Sequence, residues 1–117
     1  MKISESEMEL MNIIWQRNDE ITSADLIGHL AATWKPTTIQ TFLKRLCDKG
    51  VLTVRKEGKT NFYKANVTED EYKQSRTQEF LKEMHKGSIK SLLKALFDSK
   101  EPDKKDIEEI KDWFDNV

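Results

Sequence analysis

The fold is decided by residues 35–64, which read KPTTIQTFLKRLCDKGVLTVRKEGKTNFYK. A proline suits the first helical position, and the apolar residues that follow it lie at i, i+3, i+4 and i+7, which predicts a helix. These apolar residues are Ile39, Phe42, Leu43 and Leu46. Gly50 is placed to end the helix. Residues 51–54 and 60–64 then favour strands on either side of a turn at 56–59, which predicts a β-hairpin.

Two further helices are predicted before this segment. The first begins at a capping box, for which the sequence offers two pairs, Ser4 with Glu7 and Ser6 with Glu9. The second is expected to begin near Thr22 and to end near Thr33. Three helices followed by a hairpin describe a winged helix-turn-helix, which we place at residues 1–66.

Residues 67–117 predict three more helices, which makes the protein mostly α with a small β-hairpin wing. These helices are expected to begin near Thr68, after a break at 87–88, and near Pro102. The apolar stripes of the last two would expose more surface than a monomer usually does, so we expect a second copy of the segment to cover them. The predicted dimerisation residues are Leu92, Leu93, Leu96, Phe97, Ile107, Ile110, Trp113 and Phe114.

Composition argues against disulfide-bonded, zinc-cysteine, secreted and membrane-spanning classes of protein. The chain has 117 residues, a net charge of −1 and one cysteine, which excludes an intrachain disulfide and a cysteine-rich zinc site. The N-terminal residues lack the apolar core of a signal peptide, and no apolar stretch is long enough to span a bilayer. We therefore expect a cytoplasmic protein without membrane insertion.

Positive charge is concentrated in residues 35–64, where eight basic and two acidic residues give a net charge of +6. Such a block indicates a polyanion partner, and double-stranded operator DNA is the partner that a winged helix predicts. Threonine and glutamine side chains near a helix N-terminus can contact base edges, while cations contact phosphates. The predicted base-contacting residues are Thr37, Thr38, Gln40 and Thr41, and the predicted phosphate-binding residues are Lys35, Lys44, Arg45, Arg55, Lys56 and Lys59.

Other classes of function find less support. A winged helix that docks an acidic partner protein is the alternative, and salt-dependent, sequence-selective binding to duplex DNA separates the two. His29 and His85 are far apart in the sequence, and Cys47 lies near the apolar residues of the third helix. The glycines are isolated and form no phosphate-binding loop. We expect no catalytic residues, no cofactor and no metal site.

Three stretches carry a family resemblance: residues 3–11 (ISESEMELM), residues 34–41 (WKPTTIQT) and the wing at 56–63 (KEGKTNFY). Together they resemble the penicillinase repressor family, which includes β-lactamase and methicillin-resistance repressors and copper-transport repressors. The resemblance covers nearly the whole chain. It implies a homodimeric repressor whose winged helix binds an inverted-repeat operator and whose C-terminal helices interlock.

The resemblance also implies how repression could end. In the β-lactam branch a membrane sensor with a zinc protease domain responds to antibiotic, and the repressor is cut between an Asn and a Phe in its dimerisation segment. The matching pair here is Ala95-Leu96, and both residues differ from the family's pair. The copper branch ends in paired cysteines, whereas residues 113–117 read WFDNV, so metal sensing by that route is not expected. A repressor released by a small molecule is the remaining alternative.

Overall fold

The computed structural model describes residues 2–98 and 103–117 and confirms a mostly helical fold with a small antiparallel sheet. The chain forms two compact units, one ending at Arg76 and one beginning at Thr77. In chain order the elements are α1 (Glu5–Arg17), β1 (Ile21–Thr22), α2 (Ser23–Leu30), α3 (Pro36–Asp48), β2 (Leu52–Glu57), β3 (Thr60–Ala65), α4 (Glu69–His85), α5 (Ile89–Asp98) and α6 (Lys104–Asp115).

Side-chain caps fix where the first two helices begin. Of the two pairs proposed for α1, the structure forms the Ser4–Glu7 capping box, with Glu7 N–H donating to Ser4 Oγ at 3.1 Å and Ser4 N–H to Glu7 Oε1 at 2.9 Å. Thr22 caps α2 as expected, accepting from Asp25 N–H at 3.1 Å. The second helix ends at Leu30, short of the predicted residue 33, because the chain continues as a turn.

One hydrophobic core holds the first unit together, and it extends into α4. Trp15 Nε1–H donates to the Val67 carbonyl at 2.9 Å, and the Tyr72 hydroxyl accepts from Ile3 N–H at 2.9 Å. The start of α4 is therefore part of the winged-helix core. The fully buried apolar side chains of that core are Leu10, Met11, Ile14, Ile21, Leu26, Ile39, Leu43 and Leu46.

The sheet has the strand order β1-β3-β2, and all pairs are antiparallel. Its hairpin is longer than predicted, since β2 runs to Glu57 and pairs there with Thr60 across a two-residue turn. Gly58 has φ 62° in this turn, a value that glycine adopts without steric cost. The two-residue strand β1 was not predicted, because so short a segment shows no period.

The second unit contains α5 and α6, and neither helix has a buried residue. Gly87, with φ 82°, follows the end of α4, and Ser88 caps α5 by accepting from Ser91 N–H at 3.1 Å. Asp103 caps α6 by accepting from Lys105 N–H at 3.2 Å, and Pro102 lies outside the described residues. Among the helices of the described residues, none is long and apolar enough to cross a bilayer.

Candidate nucleic-acid interface

Helix α3 has one buried and one exposed face, as its 3.6-residue period dictates. Ile39, Leu43 and Leu46 are buried in the core. Trp34 stacks edge-to-face on Phe42 at 5.3 Å and fixes the entry to the helix. The predicted contact residues lie on the other face: Lys35, Thr37, Gln40, Thr41, Lys44 and Arg45 are exposed and Thr38 is half-buried.

The N-terminus of α3 is open to an anion. Lys35 occupies the capping position without a side-chain cap, and Pro36 follows at the first helical position. The exposed Thr41 hydroxyl donates to the Thr37 carbonyl at 3.0 Å. Because helix N-termini present N–H groups and a positive dipole end, this end of α3 can bind a DNA phosphate.

A groove of about 550 Å³ separates α3 from the hairpin. It brings together Gln40 and Lys44 of the helix and Lys56 of the wing, three residues that the sequence predicted as DNA contacts. The register pairs Lys56 with Asn61. The remaining lining residues are Cys47, Val54, Asn61 and Tyr63.

Sequence reasoning assigned no DNA contact to any of these four remaining lining residues. Asn61 was missed, although the hairpin register would have placed it beside Lys56. Cys47 is half-buried, and its burial, together with the negative charge of Asp48, raises the pKa of the thiol. The thiol is therefore protonated at neutral pH, which suits packing better than nucleophilic chemistry.

The basic residues of the interface differ in their surroundings. Among the described residues, Lys44 has a single carboxylate contact, an exposed i, i+4 ion pair with Asp48 at 3.2 Å, which a phosphate can replace at little cost. Lys56 and Lys59 are exposed near the tip of the wing. Arg55 is different, because Glu20 and Glu57 both contact its guanidinium.

The predicted dimerisation residues lie on α5 and α6. Leu93, Leu96, Phe97, Ile110 and Trp113 line one groove of about 490 Å³ within the second unit. Trp113 and Phe114 are 65% and 73% exposed, and Leu92 and Ile107 are half-buried. Ala95 and Leu96, the pair matched to the family's cut, are both exposed in α5.

Comparison with known proteins shows the family of this chain. The family model described as penicillinase repressor matches residues 3–116. The penicillinase repressor of Bacillus licheniformis is 32% identical over 111 residues, which cover 93% of this chain and 86% of that protein. The methicillin resistance regulatory protein MecI of Staphylococcus aureus is 31% identical over 113 residues, which cover 94% of this chain and 90% of that protein.

Two solved structures share the winged helix. The solution structure of the DNA binding domain of the repressor BlaI has 41% identity and a TM-score of 0.55, covering 61% of this chain and 88% of that one. The solution structure of the Bacillus licheniformis BlaI monomeric form in complex with the blaP half-operator has 40% identity and a TM-score of 0.53. The match covers 62% of this chain and 89% of that one. The resemblance drawn from the sequence is confirmed, and the chain belongs to the penicillinase repressor family, a family of DNA-binding transcriptional repressors and not of enzymes.

Proposed function

We propose that the protein is a homodimeric repressor that occupies an inverted-repeat operator through its winged helix, residues 1–66, and dimerises through helices that lie within residues 67–117. The observation that carries this proposal is the exposed face of α3 beside the groove that Lys44 and Lys56 share. Cations on both walls of one groove suit a duplex backbone better than a protein surface. The half-operator complex of the related BlaI supports the choice of operator DNA as the partner.

Different residues of this surface contact the bases and the phosphates. Thr37, Thr38, Gln40 and Thr41 lie within the first two turns of α3, the part of a recognition helix that reaches base edges. Lys35 at the helix N-terminus and the exposed cations Lys44, Arg45, Lys56 and Lys59 bind phosphates and set the register of the protein on the duplex.

Dimerisation is supported by the unpartnered apolar surface of the second unit. Neither α5 nor α6 buries a residue, although both carry several large apolar side chains. Burying one such side chain contributes about 1.5–3 kcal/mol, so several of them meeting across a two-fold axis hold a dimer. A dimer places two copies of α3 on half-sites about one helical turn of DNA apart.

Relief of repression follows from the same arrangement. A cut between Ala95 and Leu96 would divide α5 and remove α6 from the chain that carries the DNA-binding surface. The partner that makes such a cut is a membrane sensor protease of the kind the family resemblance implies. A recognition site for a sequence-specific protease, built in at this pair, tests the step: cutting it should convert dimers to monomers and weaken operator binding. A cut chain that stays dimeric contradicts it.

The proposal is tested with the full-length chain and a library of random duplexes. Selection should return an inverted repeat, and footprints should cover two half-sites. Sedimentation at micromolar concentration should show a dimer. A monomeric chain, or a selected site without two-fold symmetry, would contradict the dimer, while binding that shows no sequence preference would contradict the assignment of base contacts to α3.

A further inference from the structure

The guanidinium of Arg55 is held from two sides by carboxylates. Nε donates to Glu20 Oε2 at 3.1 Å, and Nη2 lies 3.0 Å from the same oxygen. Nη1 donates to Glu57 Oε2 at 2.7 Å. The guanidinium carbon is 4.5 Å from the centre of the Phe62 ring, a cation–π distance.

These contacts span the whole sheet. Arg55 belongs to β2, Phe62 to the central strand β3, and Glu20 directly precedes β1 on the far edge. Arg55 and Thr22 are both in register with Phe62, so they share its face of the sheet. The side chain of Arg55 therefore ties the wing to the opposite edge strand.

The neighbouring cation points the other way. Side chains alternate between faces along a strand, and Lys56, paired with Asn61, lines the groove beside α3. The two adjacent wing cations thus have separate surroundings. Lys56 borders the proposed DNA groove, while Arg55 lies over Phe62 on the opposite face.

The net charges around Arg55 and around the two wing lysines predict different contributions to DNA binding. One guanidinium and two carboxylates leave the Glu20–Arg55–Glu57 cluster with a net charge of −1, whereas Lys56 and Lys59 each contribute +1. A phosphate that took Arg55 would leave both carboxylates without their cation. These would attract cations from solution and offset the counterion released from the DNA.

We propose that Arg55 is a positioning residue that Glu20 and Glu57 hold across the sheet, and that Lys56 and Lys59 supply the wing's phosphate contacts. This inference rests on the proposed function and replaces the sequence-based assignment of Arg55 to phosphate. Glu57, beside the turn, limits the wing's affinity for DNA of any sequence.

The experiment compares Arg55→Gln with Lys56→Gln, which removes the same charge from the next residue on the opposite face. For each full-length variant, affinity for a random duplex is measured across a salt series by fluorescence anisotropy. Lys56→Gln should lower the slope of log affinity against log salt by about 1. Arg55→Gln should lower it by less than about a third of that amount. Equal losses in the two variants would overturn the inference.

A third variant protects the test against misfolding of Arg55→Gln. Glu57→Gln removes one of the two carboxylates and should strengthen random-duplex binding several-fold and steepen the slope. A merely structural cluster would leave the slope of Glu57→Gln unchanged, and that result would also overturn the inference. If the unaltered chain shows no salt-dependent binding to duplex DNA, the proposed function itself fails.

Discussion

Glu7 and Lys49, 42 residues apart, form an ion pair that joins α1 to the end of α3. The Glu7 side chain is 1% exposed, its Oε1 accepts from both Lys49 Nζ and Ser4 N–H, and its Oε2 has no hydrogen-bond partner. Burial raises the pKa of this carboxyl, but the hydrogen bonds from Lys49 and Ser4 outweigh burial, and the net shift of the pKa is downward.

Removal of either partner should therefore have unequal effects. Glu7→Gln keeps an acceptor for Ser4 and leaves Lys49, which is 32% exposed, free to turn to solvent, so it should cost about 1 kcal/mol of unfolding free energy. Lys49→Met leaves a buried carboxylate unpaired and should cost about 3 kcal/mol at neutral pH. Urea unfolding of both variants measures this, with Glu9→Gln as the exposed control. Equal losses would refute the asymmetry.

Stability should depend on pH in opposite directions in the unaltered chain and in Lys49→Met. In the unaltered chain the lowered pKa of Glu7 contributes stability that is present above the unfolded pKa, about 4.3, and is lost as pH falls through the folded pKa. In Lys49→Met burial acts without the lysine, so the pKa should rise and stability should recover as pH falls from 7 towards 5. Urea midpoints at several pH values would show this, and parallel curves would rule it out.

A fragment ending at Arg76 should fold as a monomer, whereas one ending at Asn66 should be less stable. The shorter fragment loses the Val67 carbonyl that accepts from Trp15 and the buried ring of Tyr72. Loss of one buried aromatic side chain and two hydrogen bonds should cost about 3 kcal/mol or more. Thermal unfolding of both fragments measures the difference, and equal melting temperatures would contradict the role given to α4.

Gln40→Ala should relax base preference at one position of each half-site. A glutamine can donate to and accept from an adenine edge, a pairing that gives about 1–3 kcal/mol of discrimination. Selection from random duplexes would report the preference at every position. Gln74→Ala, an exposed substitution on α4, is the matched control and should leave the profile unchanged. Identical selection profiles for Gln40→Ala and the unaltered chain would show that Gln40 does not contribute to base preference.

Alanine at both Lys56 and Lys59 should weaken binding to selected and random duplexes by similar factors. Each lysine that contacts a phosphate releases close to one counterion, so the salt slope should fall by up to about 2. Alanine at Lys104 and Lys105, two exposed lysines of α6, removes the same charge elsewhere and serves as the control. A slope that stays the same after loss of the wing lysines would place the wing away from the duplex.

Leu96→Asp should convert the full chain to a monomer without unfolding the winged helix. Leu96 is exposed on the apolar face of α5, so a carboxylate there would have to be buried unpaired in the proposed dimer. Lys94→Asp, on the same helix, is the control and should remain dimeric. Sedimentation of both variants decides the matter. A dimeric Leu96→Asp would move the interface away from α5.

The sequence was most informative where one element has a strong period. The i, i+3, i+4 pattern of α3 identified its buried face, and with it the exposed positions of Gln40 and Lys44. It was least informative about pairs distant in sequence. Neither the Glu7–Lys49 pair nor the contact of Arg55 with Glu20 has a local pattern, since each depends on how separate elements pack.

The thiol of Cys47 can report whether DNA is bound to this protein. It is the only cysteine of the chain and lies in the groove between α3 and the wing. Its raised pKa makes alkylation slow at neutral pH and faster in mildly alkaline buffer. Bound duplex would cover the groove and slow alkylation of the thiol. The alkylation rate would therefore report the fraction of repressor bound to DNA, with no dye, tag or substitution introduced into the protein.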